Sequence, residues 1–505
     1  MATPTTTYTA SVSGSTTPVA EGGLASFKID LGANVKVDTY VYFQMSGTET
    51  GYTVPTGVVD IGGGVLRALV KANTSSVTLS FLTVQDDIYT GTDTLTMTLV
   101  KPPVGQTSTY TLGKNVSATD TILDNDIPQV SIVSNGSSVT EGGKLAYTVN
   151  LTNASDTATT VTIQLSGSTD KTDFLSAISS DANVKNIAFN SSNNTVTFSI
   201  AAGQKSASFE IVTKGDGVYE GNESVVAKVT SAMTDGSVQL VTNANAACLT
   251  AATQTILDAD LPKVSIAAAG ATSVTEGQSL SYSVALDHAS KFDTKVTVQL
   301  SGTNDFSSVS GVGVKGVAYD ATTNSVSFTI AAGVKVGSFS IVTANNSVYT
   351  GDTTVTASVS SAVTNGVQLV NATPAGFAPL GGAQGLPSGK PEVSANIHDD
   401  DVPTISLSSG SDTKEGGHLS YTVKLDHASS TPTTVTIQLG GTADANDFTG
   451  VVGGNAVFHP ETNTVTLTID PYQTKVSFVL NTSDNSTFEG KENLTLIILN
   501  RLWNG

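Results

Sequence analysis

The sequence is poor in the residues on which several common architectures depend. The 505-residue chain has a single cysteine, Cys248, so it cannot build an internal disulfide framework. Because no continuous apolar run is long enough to cross a bilayer, we expect no transmembrane helix. The first residues, MATPTTTYTA, contain neither a basic segment nor an apolar one, and we expect no signal peptide of the Sec type there.

Positive charge is also scarce. Lys and Arg number 23 against 43 Asp and Glu, which gives a formal net charge of −20. Nucleic-acid binding needs a basic face, so nucleic acid is not an expected partner. An excess of acids serves either cation binding or solubility, and the composition by itself leaves both interpretations open.

Motifs typical of catalytic sites are missing as well. The sequence contains no H-E-x-x-H and no G-x-S-x-G pattern, and its GLPSGKP segment places Pro391 where a phosphate loop needs Ser or Thr. Two histidines, His288 and His427, recur in the motif LDHAS, which we interpret as a turn. We therefore do not expect an enzyme. Since only 6% of the residues are aromatic, a carbohydrate-binding module is a minor alternative.

What the sequence does contain is a fourfold internal repeat. Each copy has a segment such as VTEGGKLAYTV, then one such as VTIQLSG, then a loop such as DGVYEGNES. The first three copies end in an acid-tipped segment, TILDNDIP, TILDADLP or NIHDDDVP, which is absent from the fourth. The glutamates of the first motif are Glu21, Glu141, Glu276 and Glu415.

The apolar residues in these segments alternate with a period of two. In VTIQLSG, for example, Val161, Ile163 and Leu165 share one face, which is typical of a half-buried strand. About seven such strands per copy predict an all-β chain of four tandem immunoglobulin-like antiparallel β-sandwiches, the last lacking its closing strand. The predicted sandwiches span 1–126, 127–260, 261–402 (with a Gly/Pro-rich loop at 372–391) and 403–505.

The acid-tipped segments have a consequence in such a sandwich. The last strand runs parallel to the first, so its end and the turn after the first strand lie at one pole. Crowded carboxylates repel one another unless a cation neutralises them, and calcium prefers such oxygen ligands. The alternative is that the acids are solvated turn residues. In the second copy the converging acids would be Glu141, Asp173, Asp216, Glu220, Glu223, Asp258 and Asp260.

The motifs, in this order, resemble Calx-β domains, the calcium-binding sandwiches of sodium–calcium exchangers and of large bacterial surface proteins. The resemblance rests on the VTEGG glutamate, the DF aspartate, the YEGNE loop and the ILDxD strand end, and it extends over essentially the whole chain. It implies a Ca²⁺ site in each copy. The corresponding residues are Glu21, Asp86, Asp87, Asp93, Asp124 and Asp126 in the first copy, Glu276, Asp305, Asp352, Asp399, Asp400 and Asp401 in the third, and Glu415, Asp447, Asp484, Glu489 and Glu492 in the fourth.

The copies depart from this pattern to different degrees. The first lacks the DF aspartate, the third has Asn345 and Thr350 where its loop should carry acids, and the fourth has no terminal acids. We therefore expect calcium binding to be strongest in the second copy, weaker in the first and third, and weakest in the fourth.

The resemblance implies a calcium-binding structural repeat array of an extracellular bacterial surface protein or adhesin, secreted or held at the cell surface, in which calcium stiffens the tandem sandwiches. Expected partners are other copies of the chain, other surface proteins, or a host or abiotic surface. A second hypothesis is a self-assembling filament or surface-layer subunit, in which the N-terminal segment TPTTTYTASVS is donated to the open fourth sandwich. The carbohydrate-binding module is the third.

Overall fold

The computed structural model describes residues 7–106, 110–234, 236, 238–240, 250–303, 305–370 and 391–503. The chain divides into two compact units. The first comprises Met1–Asp216 and Gly221–Ala259, and the second comprises Gly217–Glu220 and Asp260–Gly505. Each unit contains two β-sandwiches, and the four segment boundaries expected from the sequence stay predictions.

The first sandwich opens the first unit. Its strands are β1 (Tyr8–Ser13), β2 (Val19–Ala20), β3 (Leu24–Asp30), β4 (Thr39–Gly47), β5 (Tyr52–Thr53), β6 (Val59–Asp60), β7 (Leu66–Val70), β8 (Ser76–Thr83), β9 (Ile88–Tyr89), β10 (Thr92–Val100), β11 (Tyr110–Leu112) and β12 (Ser117–Leu123). Apart from β9, they form two sheets, ordered β11-β1-β3-β8-β5 and β2-β12-β10-β4-β7-β6.

The second sandwich follows along the chain. Its strands are β13 (Val130–Ser134), β14 (Ser138–Thr140), β15 (Lys144–Leu151), β16 (Ala154–Ser155), β17 (Thr159–Gly167), β18 (Phe174–Ile178), β19 (Val184–Asn190), β20 (Thr195–Ile200), β21 (Ser206–Thr213), β22 (Val218–Tyr219), β23 (Glu223–Thr234), β24 (Val238–Gln239) and β25 (Ala251–Leu257). The sheets are β13-β15-β21-β18 and β14-β25-β23-β17-β20-β19, with β24 beside β23.

The third sandwich repeats the topology of the second. Its strands are β26 (Val264–Ala268), β27 (Ser273–Thr275), β28 (Ser279–Leu286), β29 (Ala289–Ser290), β30 (Thr294–Ser301), β31 (Phe306–Val312), β32 (Lys315–Asp320), β33 (Ser325–Ile330), β34 (Val336–Thr343), β35 (Val348–Tyr349), β36 (Thr353–Thr364), β37 (Val367–Gln368) and β38 (Glu392–His398). Its sheets are β26-β28-β34-β31 and β27-β38-β36-β30-β33-β32.

The fourth sandwich is smaller. Its strands are β39 (Ile405–Ser409), β40 (His418–Leu425), β41 (Ala428–Ser429), β42 (Thr433–Gly441), β43 (Phe448–Val452), β44 (Val457–His459), β45 (Thr464–Ile469), β46 (Lys475–Thr482) and β47 (Leu494–Trp503), with a 3₁₀ helix at Ala445–Asp447. The sheets are β39-β40-β46-β43 and β44-β45-β42-β47. Among the described residues no strand pairs with the outer edge of β47.

Strand alternation builds one apolar core per sandwich. Val161, Ile163 and Leu165, which share one face of β17, are all buried in the core of the second sandwich, as the sequence pattern predicts. The fold is therefore all-β, and the prediction of tandem immunoglobulin-like sandwiches is confirmed. In the described part of the chain no helix is long and apolar enough to span a membrane.

The closing strand runs parallel to the first part of its own sandwich, as expected. Strand β12 pairs with β2, β25 with β14, and β38 with β27, each in parallel. The glutamate of each Glu-Gly motif follows directly, and its backbone N–H donates to a carbonyl at the end of the closing strand. These bonds are Glu21 to Leu123 at 2.9 Å, Glu141 to Leu257 at 3.0 Å and Glu276 to His398 at 3.0 Å.

Short parallel pairings connect consecutive repeats within each unit. In the first unit β9 pairs with β16, and in the second unit β22 pairs with β29 and β35 with β41. Each pairing sets a Val-Tyr or Ile-Tyr dipeptide beside an Ala-Ser dipeptide. The residue after each serine donates its N–H to the tyrosine carbonyl, from Asp156 to Tyr89 at 3.0 Å, from Lys291 to Tyr219 at 2.8 Å and from Ser430 to Tyr349 at 2.8 Å.

Several features named from the sequence lie outside the described residues. These are Cys248, positions 372–390 of the Gly/Pro-rich loop, and residues 1–6 of the N-terminal segment. The rest of that segment belongs to the first sandwich. Strand β1 pairs with β3 and with β11, and Tyr8, Ala10 and Val12 are buried in the core.

Candidate metal centre

Three carboxylates meet at one end of the first sandwich. Glu21 follows β2, and Asp124 and Asp126 follow β12, which pairs with β2. The parallel pairing brings the two strand ends side by side. One oxygen from each carboxylate lies within 4.8 Å of the other two, so a single cation could contact all three residues.

The electrostatic effect of this crowding is largest at Glu21. Burial of the carboxyl group and the charges of Asp124 and Asp86 raise its pKa from 4.5 to about 7. Burial and the charges of Asp124, Asp87 and Asp86 also raise the pKa of Asp126. The Oε2 atom of Glu21 is buried and has no hydrogen-bond partner in the described structure. A cation would relieve the repulsion and complete the missing contact.

The third sandwich has an equivalent group that is more deeply buried. Glu276 follows β27, Asp399 and Asp401 follow β38, and an oxygen of each lies within 4.8 Å of the others. Asp399 is 2% exposed and Asp401 is 8% exposed. The Oδ2 atom of Asp401 has no hydrogen-bond partner among the described residues, although an unpaired buried carboxylate oxygen is costly.

Burial is the main cause of the pKa shifts in this group. It raises the pKa of Glu276, with a further rise from the charge of Asp399. It also raises the pKa of Asp401, where the neighbouring His427 lowers the pKa and Asp399 raises it. Both carboxyl groups therefore ionise less readily than they would in water. A divalent cation between them would stabilise their charged forms.

The first acid of each closing motif is also held by backbone donors. Asp399 Oδ2 accepts hydrogen bonds from the N–H groups of Thr350 at 2.5 Å and Gly351 at 2.8 Å. Its Oδ1 accepts one from the N–H of Asp401 at 3.0 Å, and Asp124 is bonded in the same way in the first sandwich. These bonds dock the loop before β36, or before β10, onto the strand end and position the acid independently of any ion.

The fourth sandwich has a smaller and more exposed group. Asp447 ends the 3₁₀ helix, Glu489 and Glu492 precede β47, and an oxygen of each lies within 4.8 Å of the others. The pKa of Glu492 is raised, chiefly by burial and then by the charge of Asp447. Because no closing strand contributes here, loops and the 3₁₀ helix alone supply the carboxylates.

The predicted ligands of the second sandwich are divided between the two units. Glu141, Asp173, Asp216, Glu223 and Asp258 belong to the first unit, and Glu220 and Asp260 to the second. Within the first unit Asp258 Oδ2 accepts a hydrogen bond from the N–H of Gly221 at 2.6 Å. Within the second unit Asp260 Oδ2 accepts one from Gly217 at 3.1 Å. The expected ranking of the four calcium sites stays a prediction.

Some predicted ligands do not join the carboxylate groups of the first, third and fourth sandwiches. Asp352 Oδ1 instead lies 2.8 Å from His398 Nδ1 and accepts a hydrogen bond from the N–H of Asp399 at 3.1 Å, at the end of the closing strand. Asp86 closes a local turn by accepting a hydrogen bond from the N–H of Ile88 at 2.7 Å, although Asp86 and Asp87 still act on the first group through their charges. The residues outside the three groups are Asp86, Asp87, Asp93, Asp305, Asp352, Asp400, Glu415 and Asp484.

Sequence reasoning missed a contribution from the following sandwich. Asn153 Nδ2, in the second sandwich, donates to Asp126 Oδ1 at 3.1 Å. His427 Nε2, in the fourth sandwich, lies 3.9 Å from Asp401 Oδ1. Asn153 and His427 occupy the same position of the repeat, in LTNAS and LDHAS. The signal in the sequence is a polar residue that recurs just before the Ala-Ser dipeptide, in a motif that by itself indicates only a turn.

The donor set favours a hard cation. The three groups consist of carboxylates alone, with Asn or His from the next sandwich at the margin of two of them. Oxygen ligands on loops suit calcium, whereas zinc and copper sites are usually built with His or Cys. The buried, unpartnered oxygens of Glu21 and Asp401 fit the same interpretation.

Comparison with known proteins adds no family assignment. No protein-family model and no curated protein sequence matches the chain. The solved structures similar to it include the Escherichia coli adhesin FdeC, with 13% identity and a TM-score of 0.21 over 77% of this chain and 96% of that one. They also include the calcium binding domain CBD12 of CALX1.1, with 12% identity and a TM-score of 0.19. That alignment covers 44% of this chain and 81% of the CALX1.1 chain. The apo form of the Calx CBD1 domain has 19% identity and a TM-score of 0.18. That alignment covers 26% of this chain and 99% of the CBD1 chain. At these TM-scores the likenesses carry no argument about function.

Proposed function

We propose that this chain is a calcium-binding structural repeat array of an extracellular bacterial surface protein or adhesin, in which calcium stiffens the joints between sandwiches. The observation that carries the proposal is the Glu276, Asp399 and Asp401 group. It is buried and crowded, and one oxygen of Asp401 has no partner in the described structure. Calcium would supply the missing positive charge and the missing contact.

The positions of the groups link metal binding to the joints. Asp126 belongs to the first group and bonds Asn153 of the second sandwich. Asp401 belongs to the third group and lies beside His427 of the fourth. A cation that orders these acids would therefore also order the contact with the next sandwich. Extracellular calcium modules bind in the range of about 10⁻⁴ to 10⁻³ M, so calcium-rich external fluids would load them.

The alternative of a filament built by N-terminal strand donation has less support. Strand β1 is already paired on both edges and buried in its own sandwich. Donation would require the first sandwich to release it and to expose Tyr8, Ala10 and Val12. A carbohydrate-binding module and an enzyme remain less favoured, because the groups that stand out are carboxylates suited to a cation.

Thermal unfolding of the full chain in millimolar calcium and in chelator tests the proposal. A ligand at ten times its Kd stabilises the folded state by about 1.4 kcal/mol per site, which corresponds to a few degrees in Tm. We expect such a rise with calcium. In the double variant Asp399→Asn with Asp401→Asn, calcium should no longer raise the melting temperature of the third sandwich.

The matched control replaces two exposed acids of the same unit, Asp412→Asn with Glu461→Gln, which changes the net charge equally. This control should keep the full calcium response. If the chain melts at the same temperature with calcium and with chelator, the acids are solvated turn residues and the proposal fails.

A further inference from the structure

Three joints between consecutive repeats share one backbone arrangement but differ in their side chains. We name each after its tyrosine: the Tyr89 joint is β9 with β16, the Tyr219 joint is β22 with β29, and the Tyr349 joint is β35 with β41. Both strands of each joint lie in one unit. The Ala-Ser dipeptide is followed by Asp-Thr in the first joint, by Lys-Phe in the second and by Ser-Thr in the third. The Tyr219 joint therefore differs from the others by a cation and an aromatic ring.

Lys291 forms an ion pair across the Tyr219 joint. Its Nζ atom lies 2.8 Å from Oε1 of Glu220, the residue that follows the tyrosine. The side chain of Glu220 is only 13% exposed, whereas that of Lys291 is 44% exposed. Because water and salt screen a largely buried carboxylate poorly, this pair is stronger than one between two exposed side chains.

The two charges occur together in one joint. In the Tyr89 and Tyr349 joints the residue after the tyrosine is a threonine, Thr90 or Thr350, and the position of Lys291 is taken by Asp156 or Ser430. An ion pair at these positions is impossible in both of those joints. Glutamate and lysine are thus a matched pair across the Tyr219 joint.

An aromatic contact adds to the ion pair. The ring of Phe292 packs edge-on against that of Tyr219, with 6.4 Å between the ring centroids and 65° between the ring planes. The N–H of Phe292 donates to Ser290 Oγ at 3.1 Å, which fixes the turn that carries both Lys291 and Phe292. Residues Gly217–Glu220 also group with the third sandwich in the second unit, although β21 and β23 on either side of them belong to the first unit.

The other two joints have no such clamp and lie beside carboxylate groups. Asn153, just before β16, bonds Asp126 at 3.1 Å, and His427, just before β41, lies 3.9 Å from Asp401. The Tyr219 joint has the corresponding contact, with His288 at 3.9 Å from Asp260, and has Lys291 in addition.

We propose that Lys291 keeps the Tyr219 joint closed without a metal ion, whereas closure of the Tyr89 and Tyr349 joints depends on calcium. The second half of this inference rests on the proposed function. Glu220 is among the calcium ligands that the family resemblance implies, and the ammonium group of Lys291 supplies it with a positive charge that needs no ion. The chain therefore has two calcium-dependent joints and, between them in sequence, one that stays closed when calcium is withdrawn.

Hydrogen exchange in the full chain measures all three joints at once. The amides of Asp156, Lys291 and Ser430 each donate to the tyrosine carbonyl of their joint, at 3.0, 2.8 and 2.8 Å, so the protection of each reports opening of its own joint. When chelator replaces calcium, we expect the protection factors at Asp156 and Ser430 to fall about tenfold and that at Lys291 to change less than about twofold.

Salt tests the ion pair without reference to calcium. In chelator, an increase from about 0.05 M to about 1 M sodium chloride should lower the protection at Lys291 about threefold or more, because salt screens the attraction between the two charges. The amide of Asp156, whose joint has no such pair, should respond less.

Lys291→Met removes the charge and keeps an unbranched apolar side chain. In chelator the protection at position 291 should fall about tenfold, because the largely buried carboxylate of Glu220 loses its counter-charge. Adding Glu220→Gln should restore part of the protection, since the isolated charge is then gone. Lys295→Met, which changes another lysine of the same sandwich, is the control and should leave position 291 unchanged.

The outcomes separate this inference from the proposed function. If all three amides stay protected in chelator while high salt and Lys291→Met still loosen position 291, the ion pair holds the Tyr219 joint and calcium does not stiffen the other two. Equal loss of protection at all three amides in chelator overturns the inference. Unchanged protection in Lys291→Met overturns it as well, because the lysine then contributes nothing to closure.

Discussion

At the scale of single residues, Glu21 and Asp401 hold the most informative atoms of the chain. Each has a carboxylate oxygen buried beside other acids and without a hydrogen-bond partner in the described structure. By contrast, Asp399 and Asp124 are bonded to backbone N–H groups. The first acid of each D-x-D pair is thus positioned by the loop, whereas one oxygen of Glu21 and one of Asp401 are left without a partner in the described structure.

The raised pKa of Glu21 predicts a pH dependence of stability in the metal-free chain. Its pKa is about 7 when folded, against an ordinary value of 4.5. Between these values the folded state binds more protons than the unfolded state, so the free energy of unfolding falls as pH rises through this window. Urea unfolding in chelator at several pH values measures this slope, and Glu21→Gln should make it shallower.

Glu49→Gln, which changes an acid of the same sandwich outside the carboxylate group, is the control and should leave the slope unchanged. Saturating calcium should remove most of the contribution of Glu21, since the metal favours the ionised form. If Glu21→Gln has the same pH dependence of the free energy of unfolding as the unchanged chain, Glu21 does not titrate between its ordinary pKa of 4.5 and about 7. In that case the neighbouring acids do not raise its pKa in the first sandwich.

At the scale of elements, the two-residue strands explain how a repeat contacts the next one. Strand β9 is too short to be stable alone, yet its pairing with β16 occurs again in β22 with β29 and in β35 with β41. Each tyrosine carbonyl accepts an N–H from the next sandwich. In the fourth sandwich the corresponding dipeptide is Thr487–Phe488, and Phe488 is 95% exposed. The tyrosine of this loop is therefore paired with the next sandwich in the first three repeats, whereas the corresponding Phe488 of the fourth is exposed.

Truncation of Tyr89 should loosen the joint between the first and second sandwiches. Tyr89 is buried, and removal of a buried aromatic ring from a core costs about 3–5 kcal/mol. At this small joint we expect part of that cost, enough to increase local opening about tenfold. In Tyr89→Ala, the amide of Asp156, which donates to the carbonyl of residue 89 at 3.0 Å, should therefore exchange its hydrogen about ten times faster.

Tyr472→Ala removes an exposed tyrosine of the fourth sandwich and should not change hydrogen exchange at the amide of Asp156. An unchanged exchange rate at Asp156 in Tyr89→Ala would mean that Tyr89 does not hold this joint closed.

At the scale of the whole molecule, the four sandwiches are unequal. Among the described residues, the second and third sandwiches each have a seven-stranded sheet, whereas the corresponding sheet of the fourth has four strands. Its core residues Leu419, Leu494 and Leu496 are only partly buried. Since apolar burial is the main favourable contribution to folding, the fourth sandwich should be the least stable of the four.

Hydrogen exchange in the unmodified chain measures this difference in stability between the fourth sandwich and the others. The amides of Val229 and Val359 donate to the chain just before their closing strands, and the equivalent amide of Ile498 faces the open edge. We expect Ile498 to exchange at least about 100-fold faster than Val229, because both its hydrogen bond and its cover are missing. Equal protection of the two amides would mean that the edge of β47 is covered in solution.

Much of the fold could be predicted because the alternation of side chains along a strand is visible within a few consecutive residues. A period of two determines which side chains face the core, so Val161, Ile163 and Leu165 were placed correctly from spacing alone. The repeated Glu-Gly and D-x-D motifs also predicted where acids gather, because a parallel last strand follows from the sandwich topology. Both inferences need only short sequence segments and the rule that the last strand of such a sandwich runs parallel to the first.

The tertiary structure alone decided which acids meet and what completes each group. Asp86 lies in the expected loop but closes a local turn with Ile88, and Asp352 bonds His398 and Asp399 at the end of the closing strand. Asn153 and His427 reach acids of the preceding repeat because of packing between sandwiches, which no spacing within one repeat encodes. The sequence by itself determined the strands, their faces and the pole at which acids collect. Only the folded chain fixed the contacts across joints, because these depend on residues far apart in sequence that packing brings together.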